Sequence, residues 1–278
     1  MRNHNHKQIG TTHPYPSTTG TEVVSLVVRS SFDAPCSFHC HVPSKRAIQG
    51  SSIMAMKDDQ DQEKYCISLE DVKKAAQNIK GMAHRTPLLT SASFNHHGHT
   101  HKTFFFKVEA MQRTGSFKFR GAMNAVSIEL AATLGPLSVV THSSGNHAQA
   151  LALAAKMSSS EHRPVDATIV MPRNAPEIKQ AAVRGYNAKI VLVDNTNEAR
   201  EEEADRLVRD TGAIFIHPSE DPRVIAGQGT ASLEIIQQLD EMGYQNLDAV
   251  IIPVGGGGLA AGNTIALRGM LGDKVKVG

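Results

Sequence analysis

The sequence predicts an α/β fold built on parallel sheets flanked by helices. Three observations predict it. Short β-branched or aromatic runs recur along the chain, and helix-like segments separate them. Several of the runs are apolar throughout, as strands covered on both faces are. A polyglycine turn follows the last run, at the strand end where such sheets place ligands.

The first helix opens at "SLEDVKKAAQNIKGM". Ser68 followed by Asp71 three residues later is an N-cap signature. Leu69, Val72, Ala76 and Ile79 fall near helical spacing, and Gly81 suits the stop. Strands are expected at "FFFKVE" (104–109), "LSVVTH" (137–142), "ATIVMP" (167–172), "KIVLVD" (189–194), "AIFIHP" (213–218) and "AVIIPV" (249–254). Helices are expected over 116–133, 145–157, 175–184, 196–211 and 222–239. No internal repeat is present.

Composition narrows the function class. The chain has 278 residues, 40% hydrophobic and 20% charged, enough for a large core. Net charge is +2 and no basic stripe interleaves with aromatics, which argues against a nucleic-acid surface. No apolar run approaches the roughly 20 residues of a membrane span. Three cysteines, Cys36, Cys40 and Cys66, make a disulfide scaffold a poor reading and fit a reducing compartment.

Residues 1–63 differ from the rest. They are rich in Ser, Thr and His and poor in acids. Transit peptides have this composition, and so do disordered tails. A third reading starts the protein at Met54 or Met56. The triplets "HNH" (4–6) and "HCH" (39–41) offer metal-ligating side chains in a segment without core periodicity, and read best as solvated polar sequence.

Three turns carry chemistry. In "PVGGGGLAAG" (253–262), four consecutive glycines follow an apolar strand and precede a helix. Such a turn points N–H groups into a concave nest, and the helix adds its positive end: a phosphate seat. In "THSSGNHAQALALAAK" (141–156), hydroxyls, an amide and free helix N–H groups converge, which suits a carboxylate; ordinary N-capping would need only one of them. In "RTGSFKFRGAMNA" (113–125), Lys118 lies between two phenylalanines. A solvated helix lysine is the usual case, but apolar neighbours lower an amine's pKa, and a neutral amine can form a Schiff base. Together the three suggest a pyridoxal phosphate enzyme.

The motifs "RTGSFKFRGAMNAV", "THSSGNHAQAL", "MPRNAPEIK", "HPSEDPRVIAGQGTASLE" and "PVGGGGLAAG" stand in one order. In that order the chain resembles the fold-type II pyridoxal phosphate enzymes, the serine/threonine dehydratase group, and within it the serine racemase branch. The resemblance runs from "KYCISLEDVKKA" (64–75) to the chain end. It implies a tryptophan-synthase-β-like fold with a large domain over 64–135 and 220–278 and a small domain over 136–219. The cofactor would lie in the cleft between them. Lys118 would anchor it covalently, Phe117 would pack near its ring, and Asn146 would bond the ring hydroxyl. Ser219 would lie near the cofactor, and Gly255, Gly256, Gly257 and Gly258 would hold the phosphate. Ser143, Ser144, Asn146, His147 and Arg200 would face the substrate.

The resemblance also implies a reaction. Lys118 would take a proton from Cα of L-serine on one face, and Ser144 would deliver one on the other. Typical threonine dehydratases have alanine where Ser144 stands, so the serine favours racemisation; loss of the β-hydroxyl would give pyruvate and ammonia. A threonine, serine or hydroxyaspartate dehydratase without racemase activity is the alternative, and an inactive homologue, truncated so that the large domain is incomplete at its C-terminus, is another. A homodimer is implied.

Departures from the pattern matter. Ser219 replaces an asparagine near the cofactor, and Asn187 replaces a glycine in a turn where asparagine tolerates left-handed geometry. "HHGHTH" (96–101) enlarges a loop. The group's ATP effector region maps onto Ser91, Ala92, Ser93, Arg113, Thr114, Gln149 and Tyr186, with Ala92 lacking a hydroxyl and Arg113 replacing a lysine. The implied structural Mg2+ or Ca2+ would take acidic ligands beyond Gly278, so no metal ligand is assigned within the chain. The location implied is cytoplasmic, or organellar if residues 1–53 are a transit peptide.

Overall fold

Ser68 caps the first helix as its spacing predicts. The Asp71 N–H donates to Ser68 Oγ (3.2 Å), and the Ser68 N–H donates back to the Asp71 carboxylate (2.8 Å). This closes a capping box over α1 (Leu69–Asn78). The computed structural model describes residues 24–30, 65–97 and 102–278. The triplets at 4–6 and 39–41, the methionine starts, and residues 98–101 of the histidine loop lie outside them.

Two sheets organise the described chain. One is wholly parallel, in the order β6 (Lys189–Val193), β5 (Val165–Pro172), β4 (Leu137–His142), β7 (Ile214–Phe215). Both of its faces are covered. Val139 and Ile169 pack in one cluster with α4 (Asn146–Ser158), whereas Val140 and Val170 pack on the other side with Ala204 of α6 (Asn197–Thr211). Strands buried on both sides therefore read as continuous apolar runs. α5 (Glu177–Gly185) links β5 to β6, and Asn187 just beyond it has φ 66°, the left-handed geometry expected of it.

The second sheet has the order β2 (Leu88–Thr90), β3 (Lys102–Val108), β1 (Val24–Ser30), β8 (Ala249–Ile251), β9 (Lys276–Val277). Only β8 and β9 are parallel; the other pairs are antiparallel. α2 (Ala92–His97) follows β2. Phe105, Val250 and Ile252 bury one face against Ile235 and Leu239 of α7 (Pro222–Glu241) and Leu259 and Leu267 of α8 (Gly258–Leu271). α3 (Lys118–Ala132) joins the two halves, packing on both α4 and α7. The α3–α7 crossing is close because Gly227 has no side chain: a Cβ there would fall 2.6 Å from Gly121 Cα.

Three features differ from the sequence expectation. Residues 24–30 lie within the segment read as an extension, yet "VSLVVRS" forms a strand between β3 and β8, because its β-branched residues suit a ladder. The second sheet is mixed rather than parallel. The strand expected over 249–254 stops at Ile251, and that expected over 213–218 stops at Phe215. Beyond it Pro218 has no N–H to donate, and the His217 side chain captures the next two. No helix among the described residues is long and apolar enough to cross a membrane.

Candidate active site

Lys118 is delivered by a strained approach. Thr114 (φ 62°) and Gly115 (φ 72°) are both left-handed, and the first has a Cβ. This pair turns the chain from the 3-10 turn at Arg113–Gly115 into α3, whose first residue is Lys118. The Lys118 amine donates to the Pro218 carbonyl at 2.8 Å and lies 5.3 Å from the centre of the Phe117 ring. Burial pushes its pKa below the usual lysine value. A lower pKa makes the amine easier to deprotonate, which suits a nucleophile or base.

The glycine turn lies against the same segment. Gly257 (φ 84°) is the residue before α8, and no side chain caps that helix, so its first N–H groups are open to a ligand. A Cβ at Gly256 would fall 2.5 Å from Ser219 Oγ, and one at Gly258 would fall 2.6 Å from the Ser219 carbonyl oxygen. Glycine is thus required for close approach here. Pro218 receives the amine and Ser219 backs the glycines, so two adjacent residues bring Lys118 and residues 255–258 to one place.

The third turn sits at the carboxyl end of β4. The Ser143 N–H continues the ladder to the Val170 carbonyl (3.1 Å), and its Oγ accepts the Gly145 N–H (3.2 Å). Ser144 is half-buried and Asn146, which opens α4, is exposed. His147 corrects the sequence reading. Its imidazole points into the core, 2% exposed, with Nε2 against the Ile216 carbonyl at 3.4 Å. Only its main-chain N–H, in the open first turn of α4, is left to face a carboxylate.

Burial, and then the nearby Lys118 amine, lowers the His147 pKa to about 3. In the unfolded chain this histidine binds a proton below about pH 6.5; in the folded chain it does not until about pH 3. Its contribution to stability is full above pH 6.5 and falls as pH drops toward 3. Between pH 7 and 5 the loss expected from this group is about 2 kcal/mol. Urea midpoints at the two pH values check it: His147→Leu should flatten the difference by that amount.

Arg200 is half-buried and occupied by its own helix start. Its Nε donates to the Thr196 carbonyl at 3.1 Å and Nη2 donates to Asn197 Oδ1. The residues assigned to an effector come from four places along the chain. Ser91, Ala92 and Ser93 open α2, where Ser91 Oγ accepts the Phe94 N–H at 3.4 Å. Arg113 Nε donates to the Met82 carbonyl at 2.5 Å, and Thr114 Oγ1 is buried without a partner. Gln149 lies on α4, which touches the Arg113–Gly115 turn, and Tyr186 packs against the core beyond α5. Among the described residues no group of three His, Cys, Asp or Glu is arranged to hold a metal. Sequence reasoning missed His142 and His217, whose rings stand 5.7 Å apart beside this site. The available signal was "HPSED", a histidine and a proline directly before a helix cap.

Known proteins bear on this geometry. The family of pyridoxal-phosphate dependent enzymes matches residues 79–277. The chain belongs to that family. It is 45% identical over 215 residues to serine racemase from Rattus norvegicus, covering 77% of this chain and 61% of that protein. It is 42% identical over 211 residues to L-threonine ammonia-lyase from Thermotoga maritima, covering 76% of this chain and 49% of the relative. A solved pyridoxal 5'-phosphate-dependent aspartate racemase superposes with a TM-score of 0.69 at 37% identity, covering 76% of this chain and 61% of that one. The chain therefore spans about three fifths or less of the length of these relatives. The residues present fit the cofactor that the family uses. A desolvated amine reaches the site, the glycine turn leaves no room for a Cβ at Gly256 and Gly258, and a helix N-terminus stands open behind it.

Proposed function

We propose that this chain carries the site of a serine racemase that also eliminates water from serine. The observation that carries the reading is the meeting of Lys118 and the glycine turn on Pro218–Ser219, with Ser144 at the end of the neighbouring strand β4. Lys118, together with the N–H groups of Gly255–Gly258, would hold pyridoxal phosphate in a cleft between a unit over 136–219 and the remainder. Bound there, the cofactor supplies an electron sink that acidifies the substrate Cα–H.

The chain's own residues do the rest. The main-chain N–H groups of Asn146 and His147, the Ser143 hydroxyl and those Arg200 donors not engaged by Thr196 and Asn197 bind the substrate carboxylate, using the positive end of α4. Asn146 also fixes the cofactor ring, and Phe117 packs beside it. The Lys118 amine, whose charged form burial disfavours, takes the proton from Cα on one face. The Ser144 hydroxyl returns a proton to Cα on the other face, which inverts the centre. Where the β-hydroxyl leaves first, the products are pyruvate and ammonia.

A second reading is favoured by the 42% identity to an L-threonine ammonia-lyase: elimination without racemisation. Chiral chromatography of the products from L-serine separates the two. The first reading expects D-serine together with pyruvate; pyruvate alone sinks it. Ser144→Ala is expected to lower D-serine formation roughly 10²–10⁴-fold while pyruvate formation falls far less. Racemisation at the parent rate in that variant would remove Ser144 from the mechanism.

A further inference from the structure

The proposed reaction uses two groups of the turn after β7 and leaves a third unexplained. The Pro218 carbonyl receives the Lys118 amine, and Ser219 lies behind Gly256 and Gly258. The third group is His217. Its Nδ1 accepts the main-chain N–H of Ser219 at 3.2 Å and that of Glu220 at 2.9 Å. An imidazole nitrogen accepts only when it carries no proton. The two donors therefore assign the proton to Nε2, which stands 3.9 Å from Glu220 Oε2. Side chains that bond backbone two residues on close turns in this way.

We propose that His217 is a positioning residue for Lys118 and the glycine turn. Its bare Nδ1 staples residues 217–220, and the staple keeps the Pro218 carbonyl on the amine and Ser219 behind Gly256. Several groups surround the ring. Glu220 faces the ring from its own turn. His142, at the end of β4, meets it nearly perpendicular at 84°, and Phe215 lies 6.1 Å away. His147 at the head of α4 is within electrostatic reach. Arg200 and Glu201 of α6 act on His142 in turn, and burial holds His142 below its ordinary pKa. The staple is a property of the chain without cofactor; its catalytic consequence rests on the role proposed for Lys118.

The test uses the full chain, first free of cofactor and then loaded with pyridoxal phosphate. Amide hydrogen exchange is read at Ser219 and Glu220. His217→Phe keeps a ring and removes the acceptor, and is expected to speed exchange at both amides roughly tenfold or more. Amides inside α7 should keep the parent rate. His217→Asn, whose Oδ1 takes the place of Nδ1, should restore protection. The pH profile of Lys118 acylation, followed by mass spectrometry, should move in His217→Phe and return in His217→Asn. In the loaded chain the pH profile of the visible absorbance should follow the same order. Parent-like exchange in His217→Phe, or loss in His217→Asn as large as in His217→Phe, overturns the proposal. If His217→Phe does not fold, His217→Gln places its acceptor one bond too far, and the same comparison with His217→Asn decides. Intact protection in a chain that makes neither D-serine nor pyruvate would leave the staple standing and defeat the proposed function instead.

Discussion

Lys118→Ala is expected to lower turnover roughly 10²–10⁴-fold or more, with little change in thermal stability. The two halves of this result have one cause. Burial depresses the pKa of the amine, so the fold already disfavours its charged form. Removing it forfeits one hydrogen bond to the Pro218 carbonyl, worth about 1 kcal/mol. It also ends the desolvation of a cation. In a domain of this size 1 kcal/mol moves the melting midpoint by only about 2–4 °C. In the proposed role the same change would remove both the base and the covalent hold on the cofactor. The loaded variant should therefore also lose its visible absorbance on dialysis. Lys118→Arg should not rescue it, because a guanidinium stays charged and cannot serve as that base. Turnover within tenfold of the parent in Lys118→Ala would refute the assignment of the amine.

Glu109→Ala is expected to destabilise the fold by about 3–5 kcal/mol, read as a lower urea midpoint. Two cations and two carboxylates meet behind the active helix. Arg120, two residues after Lys118 and fully buried, is gripped by Glu109 at 2.7 and 2.8 Å and by Glu234 at 2.7 and 2.9 Å. Lys107, also fully buried, donates to Glu234 at 2.6 Å, Gln238 at 2.7 Å and the Thr86 carbonyl at 2.8 Å. Burial works against the Arg120 charge, but Glu109 and then Glu234 outweigh it and hold its pKa above the ordinary value. Burial lowers the Lys107 pKa despite the pull of Glu234. Removing Glu109 leaves two buried cations to one carboxylate. The loss should be far larger than for an exposed pair such as Arg184–Glu177, whose measured worth is typically below about 1 kcal/mol. An equal midpoint for Glu109→Ala and Glu177→Ala would show that the cluster carries no such weight.

What could be read from the sequence was local chemistry. Ser68 and Asp71 advertise a cap within four residues, and four glycines after an apolar run advertise a turn. Asn187, standing where the resembled pattern has a glycine, does occupy a left-handed position. The parts that stayed hidden are non-local. Arg120 meets partners 11 and 114 residues away, and nothing within the motif around Lys118 points to Glu234. His147 belongs to a motif that reads as ligand-facing, yet the first turn of α4 rotates its ring inward. His217 does its work through main-chain partners, which leave no mark in side-chain patterns. The strand at Val24–Ser30 was obscured by the acid-poor, hydroxyl-rich sequence around it.

That strand has a consequence for how the protein is made. β1 is the earliest element of the described chain, yet it is the middle strand of its sheet, paired with 102–108 on one side and 249–251 on the other. A polypeptide emerges from the ribosome from its N-terminus, and domains fold as their parts appear. Residues 24–30 must therefore wait, apolar and half-paired, until more than two hundred further residues have been synthesised. Ladders of such long range form slowly and leave open edges meanwhile. Synthesis in the cell thus exposes a sticky strand for most of its duration, and soluble yield should depend on what shields that strand during elongation.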